Sequence, residues 1–351
     1  MSDRSLSPMP ASRPAPDLMR AAWYERQGEA ADVLQVGERD RPEPGRGEVR
    51  VRIHASGINP SDTYGRAGTQ QPMAFPWVIP HQDGSGVIDA VGADVAPNRI
   101  GERVWVYEAT LNRQGGTAAD YCVVPAGRAI RLPDGADFEV GACLGIPAMT
   151  AHRAVFADGP VEGQVVLVTG GAGAVGSTAI QLAVWGGATV LATVSSEEKA
   201  KAARAAGASH VVNYREQDVA AEVVRLSGGA GVDRVVEVDF GGNLATTLQV
   251  IQPDGYIASY ASRGNQAPAV PFRQLMVKNV TVHAILVYTM AESAKTAAAR
   301  DITRALEAGA LRPMITTRLP LERIVEAHQH VERVSSIGNT VLQIDSYRSR
   351  R

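Results

Sequence analysis

From Met19 to about Gly145 the chain runs as short extended segments broken by turn residues. Val49, Val51 and Ile53 alternate with Glu48, Arg50, Arg52 and His54, the period of a strand with one buried face. Gly86–Val91, Arg103–Tyr107 and Tyr121–Val124 read as further strands of the same texture. Short strands punctuated by Gly and Pro predict a small irregular barrel rather than a parallel sheet. Between about 147 and 289 the pattern changes to apolar strands alternating with helices. The strands fall at Val165–Thr169, Thr189–Val194, His210–Val212, Arg234–Glu237, Tyr256–Tyr260 and Val280–Val287. Between them lie helices at Ser177–Trp185, Glu197–Ala206, Val219–Ser227 and Leu244–Ile251. This alternation predicts an α/β unit with a doubly wound parallel sheet. Two amphipathic helices, Ala291–Ala308 and Leu321–Val331, and a strand at Thr340–Ile344 complete the pattern. The chain thus divides into 1–18, 19–146, 147–289 and 290–351.

The sharpest local signal lies inside the parallel-sheet unit. Residues 165–188 carry GxGxxG at Gly171, Gly173 and Gly176, with Ala174 and Val175 between the last two. The motif sits between an apolar strand and a helix, the context that gives it meaning as a pyrophosphate cradle. Glycine is required because the pyrophosphate must approach backbone amides, and the helix N-terminus adds free N–H groups and a positive dipole end. The next strand decides which dinucleotide binds. An NAD site places Asp or Glu there to take the ribose 2′-OH. Here the strand ends in Val194-Ser195-Ser196-Glu197-Glu198-Lys199. Val194 does not repel a 2′-phosphate, and two hydroxyls and an ammonium suit one. Glu197 and Glu198 are accounted for as first-turn partners of the helix dipole. NADPH is therefore expected over NADH. The loops Val238–Gly242, Tyr260-Ala261-Ser262 and Ile285-Leu286-Val287 end parallel strands, the edge at which such sheets bind ligands.

Composition narrows the function classes. Among 351 residues, 35 Lys and Arg face 37 Asp and Glu, so no global basic footprint points to nucleic acid or anionic lipid. No run of roughly 18 apolar residues exists to span a membrane. Cys122 and Cys143 are the only cysteines, which rules out a four-cysteine zinc lobe. Both read as small buried residues of a reducing cytoplasm. Residues 1–18 hold four prolines and four serines without apolar periodicity, and read as a flexible arm with no secretory or mitochondrial signal.

The layout and three further segments resemble the medium-chain dehydrogenase/reductase superfamily. The segments are Gly57–Tyr64 (GINPSDTY), Ile79–Gly86 (IPHQDGSG) and Gly207–Tyr214 (GASHVVNY). Within the superfamily the likeness is to the zinc-free, zeta-crystallin-like quinone oxidoreductases. It implies a GroES-like β-barrel catalytic domain, a central Rossmann sheet, a C-terminal return to the catalytic domain, and a homodimer. The long apolar strand Val280–Tyr288 is the expected pairing edge, since leaving it bare invites edge-to-edge association. Zinc-dependent relatives place metal ligands where this chain holds Asn59, Gln82, Asp83 and Ile146. One carboxylate without a thiolate or imidazole does not hold zinc tightly, and neighbouring His81 reads as a loop or core histidine. The resemblance places Asn59, Tyr64 and Thr150 at the nicotinamide and substrate end as catalytic candidates, with Tyr64 as a hydroxyl donor. Asp62 reads as a helix cap. The resemblance also places Lys199 and Tyr214, beside Ser195 and Ser196, at the adenosine 2′-phosphate. It further implies that Val238, Tyr260, Ala261 and Leu286 line the cofactor.

Without metal or flavin, the expected reaction is hydride transfer from NADPH to an electron-poor acceptor, a quinone first. Reduction of an activated C=C in an enal, enone or enoyl thioester is the alternative; a carrier thioester would want basic residues such as Arg66, Arg113 or Arg273 near the mouth. A crystallin-like structural or RNA-binding role is disfavoured by the neutral charge balance. A short-chain reductase is disfavoured because no Tyr-x-x-x-Lys occurs.

Overall fold

The computed structural model describes residues 17–333 and 336–344; the proposed arm lies almost wholly outside them. Its architecture is two large sheets joined at a seam. The six-stranded sheet runs His210–Asn213, Thr189–Val194, Val165–Val168, Val232–Glu237, Ile251–Ser259 and Thr281–Ala284, in that spatial order, with every pairing parallel. The order reverses between Val165–Val168 and Val232–Glu237, the point where doubly wound sheets open a ligand crevice. The central strands are apolar because both faces are covered. One face packs under helices Ile146–Phe156, Ala174–Trp185 and Glu292–Glu307 through Val166, Val168, Ala179 and Ile302, all buried. The other packs on Val219–Leu226 and Phe240–Val250 through Leu167, Leu191, Val223 and Leu248.

The second sheet is mostly antiparallel and has seven strands. Glu48–Ile58 is its centre, pairing with Asp83–Val91, Tyr121–Pro125 and Asn339–Gln343. Arg103–Val106, Ala129–Arg131 and Ile315–Pro320 extend it, and Leu18–Trp23 with Gln35–Asp40 forms a separate hairpin-like pair. Val49, Val51 and Ile53 are fully buried, as their alternation requires. Their core also holds Ile88, Val104 and Leu342.

Several elements differ from the pattern-based expectation, each for a physical reason. The crossover helix, expected from the sequence at Met149–Phe156, begins one turn earlier, at Ile146, because Pro147 suits the first turn. Ile251–Ser259 is longer than Tyr256–Tyr260: the turn residues Pro253, Asp254 and Gly255 interrupt the apolar pattern but not the strand. The largest correction concerns Val280–Tyr288. Only Thr281–Ala284 is strand; after Ile285 the chain turns into a 3₁₀ segment, Val287–Thr289, that buries Val287. An apolar run is ambiguous here, since the same residues serve an edge strand and a turn folded inward. Leu321–Val331 is likewise split into a 3₁₀ turn, Leu321–Arg323, and a helix, Ile324–Glu332. Among the described residues no helix is long and apolar enough to cross a membrane.

Candidate functional site

The glycine motif forms the turn from strand Val165–Val168 into helix Ala174–Trp185. Its glycines answer to different neighbours. A Cβ on Gly171 would lie 2.8 Å from Ala192 Cβ, and one on Gly176 only 2.3 Å from the Gly170 carbonyl oxygen. Those two are demanded by the protein's own packing. Gly173 is not: a Cβ there would meet nothing closer than 3.5 Å, and its φ of −76° suits any residue. The space over Gly173 is open, beside the first-turn N–H groups of Ala174, Val175 and Gly176. A pyrophosphate needs such a cradle, so the residues present fit a dinucleotide. The turn is locked from behind by the far end of the chain, since Gly338 N donates to the Ala172 carbonyl at 2.9 Å.

At the outer corner, Val194 and Asn213 are in register on neighbouring strands, which brings the residues after each strand together. Ser195, Ser196 and Lys199 follow one strand and Tyr214 the other, with Tyr214 half exposed. Ser196 is also the N-cap of helix Glu197–Ala205, accepting from Lys199 N at 3.3 Å. Its lone pair is thereby used while its O–H stays available for a phosphate.

Across the crevice, buried Glu237 gathers the strand ends. Its carboxylate accepts from Thr169 Oγ1 (2.9 Å), Asp239 N (2.7 Å), Asn243 Nδ2 (2.7 Å) and Thr247 Oγ1 (3.2 Å). Thr169 in turn accepts from Val238 N at 2.8 Å, so the glycine turn and the Val238 loop are fixed to each other. Tyr260 and Ala261 lie on the adjacent loop, where Tyr260 N donates to the Glu237 carbonyl and Phe240 N to that of Ala261. Burial raises the Tyr260 hydroxyl's pKa, with the Glu237 charge adding to it. Leu286 stands exposed at the next loop, on the same sheet edge.

The opposite wall is helix Pro60–Ala67. Asn59 caps it: its N–H donates to Asp62 Oδ2 at 2.7 Å, and Asp62 Oδ1 also accepts from Gln82 N at 3.2 Å. Asp62 is thus the cap partner expected from the sequence. Its burial outweighs these donors and pushes the carboxyl up to about 7. The Asn59 side chain is buried and committed, with Nδ2 donating to Asp83 Oδ2 at 2.8 Å. Ile146 N donates to both Asp83 oxygens at 3.0 and 2.9 Å. Burial drives the Asp83 carboxyl well above the usual carboxylate range. This is where zinc-dependent relatives would carry their ligands, and the residues do not fit zinc: the one carboxyl is already engaged by an amide and a backbone N–H. Among the described residues no group of three or more His, Cys, Asp or Glu comes together to hold a metal. His81 is a core histidine, with Nδ1 2.8 Å from Ser56 Oγ and Nε2 3.0 Å from His328 Nε2. Thr150 sits in the second turn of helix Ile146–Phe156, where its hydroxyl donates to the Ile146 carbonyl at 2.6 Å.

Two contacts across the seam escape the sequence reading. Arg263, on the loop after Ile251–Ser259, places its guanidinium carbon 5.4 Å from the centre of the Tyr64 ring. Tyr288 donates its hydroxyl to Ser61 Oγ at 2.8 Å. The signal for Tyr288 is faint, a polar tip closing the apolar run VTVHAILVY. Of the basic residues named for a carrier, Arg66 is fully buried on Glu332 and Arg113 pairs with Glu48, so neither faces a mouth. Behind the seam, Lys295 Nζ meets buried Glu108 at 2.7 Å, and Arg128 joins Glu108 (3.1 Å) to Glu292 (2.6 Å).

Comparison with known proteins agrees with this geometry. Residues 45–134 match the alcohol dehydrogenase GroES-like domain, and residues 174–303 match the family described as zinc-binding dehydrogenase. The quinone oxidoreductase of Pongo abelii is 32% identical over 291 residues, 83% of this chain and 87% of that protein. A mycobacterial quinone oxidoreductase superposes with a TM-score of 0.83 at 28% identity, covering 93% of this chain and 100% of that one. A mycobacterial protein solved in complex with NADPH superposes at 0.81 and 28% identity, covering 93% of this chain and 100% of that one. With the GroES-like sheet, the parallel sheet and its glycine turn all in place, the chain belongs to the quinone oxidoreductase family of the medium-chain dehydrogenases/reductases.

Proposed function

We propose that this protein is an NADPH-dependent, metal-independent reductase whose acceptor is a quinone. The observation that carries the reading is the open cradle over Gly173, where the fold itself needs no glycine. The bound dinucleotide supplies the hydride. The chain's own residues do the rest. Gly171, Gly173, Ala174, Val175 and Gly176 hold the pyrophosphate with backbone N–H groups, and Ser195, Ser196, Lys199 and Tyr214 take the adenosine 2′-phosphate end. Val238, Tyr260, Ala261 and Leu286 border the nicotinamide half, in loops that Glu237 braces. Asn59 and Thr150 shape the catalytic wall, and Tyr64 closes it. With Asp83 engaged internally, no metal ion is held there to polarise the acceptor, so an acceptor that is itself electron-poor, as a quinone is, suits the site.

The domain boundaries proposed are 19–146 and 290–351 for the catalytic domain and 147–289 for the dinucleotide-binding one. We also infer a homodimer through strand Thr281–Ala284, which pairs on one side only among the described residues. Val282 on that strand and Phe272, Met276 and Val277 on the helix before it are large hydrophobic residues left exposed, which pairing with a second copy would cover. The two free, buried cysteines fit a reducing cytoplasm.

Initial rates of NADPH and NADH oxidation with a para-quinone, an ortho-quinone and a 2-alkenal, each with and without chelator, test the reading. Chelator-insensitive quinone turnover preferring NADPH is expected. Alkenal turnover with silent quinones would replace the substrate assignment, and loss of activity with chelator would overturn metal independence.

A further inference from the structure

The Tyr288–Ser61 contact joins hydroxyls from opposite walls of the seam. Ser61 lies in the first turn of helix Pro60–Ala67 and is half-buried; Tyr288 lies two residues beyond Leu286. Tyr288 is firmly held. Its 3₁₀ segment fixes the backbone, and Lys295 Nζ donates to its carbonyl at 3.3 Å while anchored on Glu108. The direction of the bond matters: Tyr288 O–H donates and Ser61 Oγ accepts at 2.8 Å, so the Ser61 proton must point elsewhere. Ser61 and Tyr64 are three residues apart on one helix and share a face, the face that Arg263 approaches from the other side. Burial, reinforced by Asp62, Asp83 and Glu108, holds the Tyr288 hydroxyl protonated well above the usual tyrosine range, so it stays a donor at neutral pH.

We propose that Ser61, backed by Tyr288, donates the hydrogen bond that stabilises negative charge on the acceptor oxygen during reduction. The inference rests on the reading of this seam as a quinone-reducing site. As hydride reaches a quinone, an electron pair moves onto a carbonyl oxygen. Ser61 O–H meets that oxygen, and the bond it accepts from Tyr288 makes it a stronger donor through cooperative polarisation. Neither hydroxyl loses its proton: the oxyanion takes one from water as the product leaves, so both side chains end the cycle as they began. Ser61 is the catalytic residue and Tyr288 a positioning residue.

The test compares the full-length wild type with Ser61→Ala, Ser61→Thr, Tyr288→Phe and Tyr64→Phe. Loss of one oxyanion donor lowers kcat by about 100-fold, the expectation for Ser61→Ala with a para-quinone. Tyr288→Phe is expected to lose roughly three- to tenfold, as cooperative strengthening is only part of the bond. Ser61→Thr keeps the hydroxyl and restores turnover, and KM for NADPH is unchanged throughout. A second readout needs no turnover: p-nitrophenolate, whose absorbance moves to shorter wavelength on accepting a hydrogen bond, mimics the charged oxygen. The shift is expected in wild type, Ser61→Thr and Tyr64→Phe, smaller in Tyr288→Phe and absent in Ser61→Ala. A Ser61→Ala enzyme with wild-type kcat, an unshifted spectrum in wild type, or a shift lost only in Tyr64→Phe overturns the proposal. A wild type that shifts p-nitrophenolate through Ser61 yet reduces no quinone overturns the quinone reading and upholds the donor.

Discussion

Replacing Gly173 by Ala separates the cofactor's needs from the fold's. The added Cβ would lie 3.5 Å from the nearest protein atom, and the backbone at φ −76° accepts it. Removing a glycine's freedom from the unfolded chain at such a site stabilises by about 0.4–1 kcal/mol. The melting temperature should therefore hold or rise slightly. NADPH affinity should fall, because the methyl group occupies the space over the N–H groups of Ala174, Val175 and Gly176. Hydrogen bonds to a charged group contribute about 1.5–3 kcal/mol each, so losing one corresponds to a roughly 10- to 150-fold weaker Kd. Gly176→Ala is the control with the opposite signature, since its Cβ would press to 2.3 Å from the Gly170 oxygen and must move backbone. That variant should melt earlier whether or not cofactor is present. The assay is thermal unfolding beside titration of NADPH fluorescence. A Gly173→Ala protein that binds NADPH as tightly as wild type would refute the assignment of this cradle; one that unfolds earlier would refute the claim that the fold leaves the position open.

Three further outcomes are expected. Asp62 keeps its proton to about pH 7 when folded but loses it near 3.8 when unfolded, so its burial lowers stability as pH rises through that window. The shift corresponds to an upper bound of about 4 kcal/mol, and Asp62→Asn should flatten the decline in urea midpoint between pH 5 and pH 8. Lys199→Ala should weaken NADPH about tenfold by fluorescence titration while leaving NADH unchanged, lowering the preference between them. Lys295→Met strands Glu108 in the interior with Arg128 as its remaining partner. It should destabilise by about 3 kcal/mol, the low end for a broken buried pair, as read by denaturant unfolding.

The parallel sheet was legible because its strands are apolar throughout and its helices repeat, so periodicity and topology point the same way. The glycine turn was legible too, although the sequence treats Gly171, Gly173 and Gly176 alike and only their surroundings assign separate tasks. The 280–288 run misled because period alone does not distinguish a pairing edge from a chain turning inward on Val287. The strands Leu18–Trp23, Gln35–Asp40 and Ile315–Pro320 carry mixed polar residues, whose burial is set by partners remote in the chain. Tyr288 and Arg263 were invisible for the same reason. Each acts through a neighbour that nothing local to it announces, as Ser61 is 227 residues from Tyr288.

The long reach of residues 338–343 bears on how the chain comes to be made. Gly338 closes the glycine turn through Ala172, and Asn339–Gln343 covers Ala55–Ile58 of the central strand. During synthesis, both partners leave the ribosome some 160 and 280 residues before the segment that completes them. At about 5–20 residues per second, the open edge of Ala55–Ile58 waits at least ~15 seconds for its permanent neighbour. A nascent chain in that interval presents a half-built barrel and an unlatched nucleotide turn. Truncation just before Gly338 should accordingly leave a protein that fails in two distant places at once.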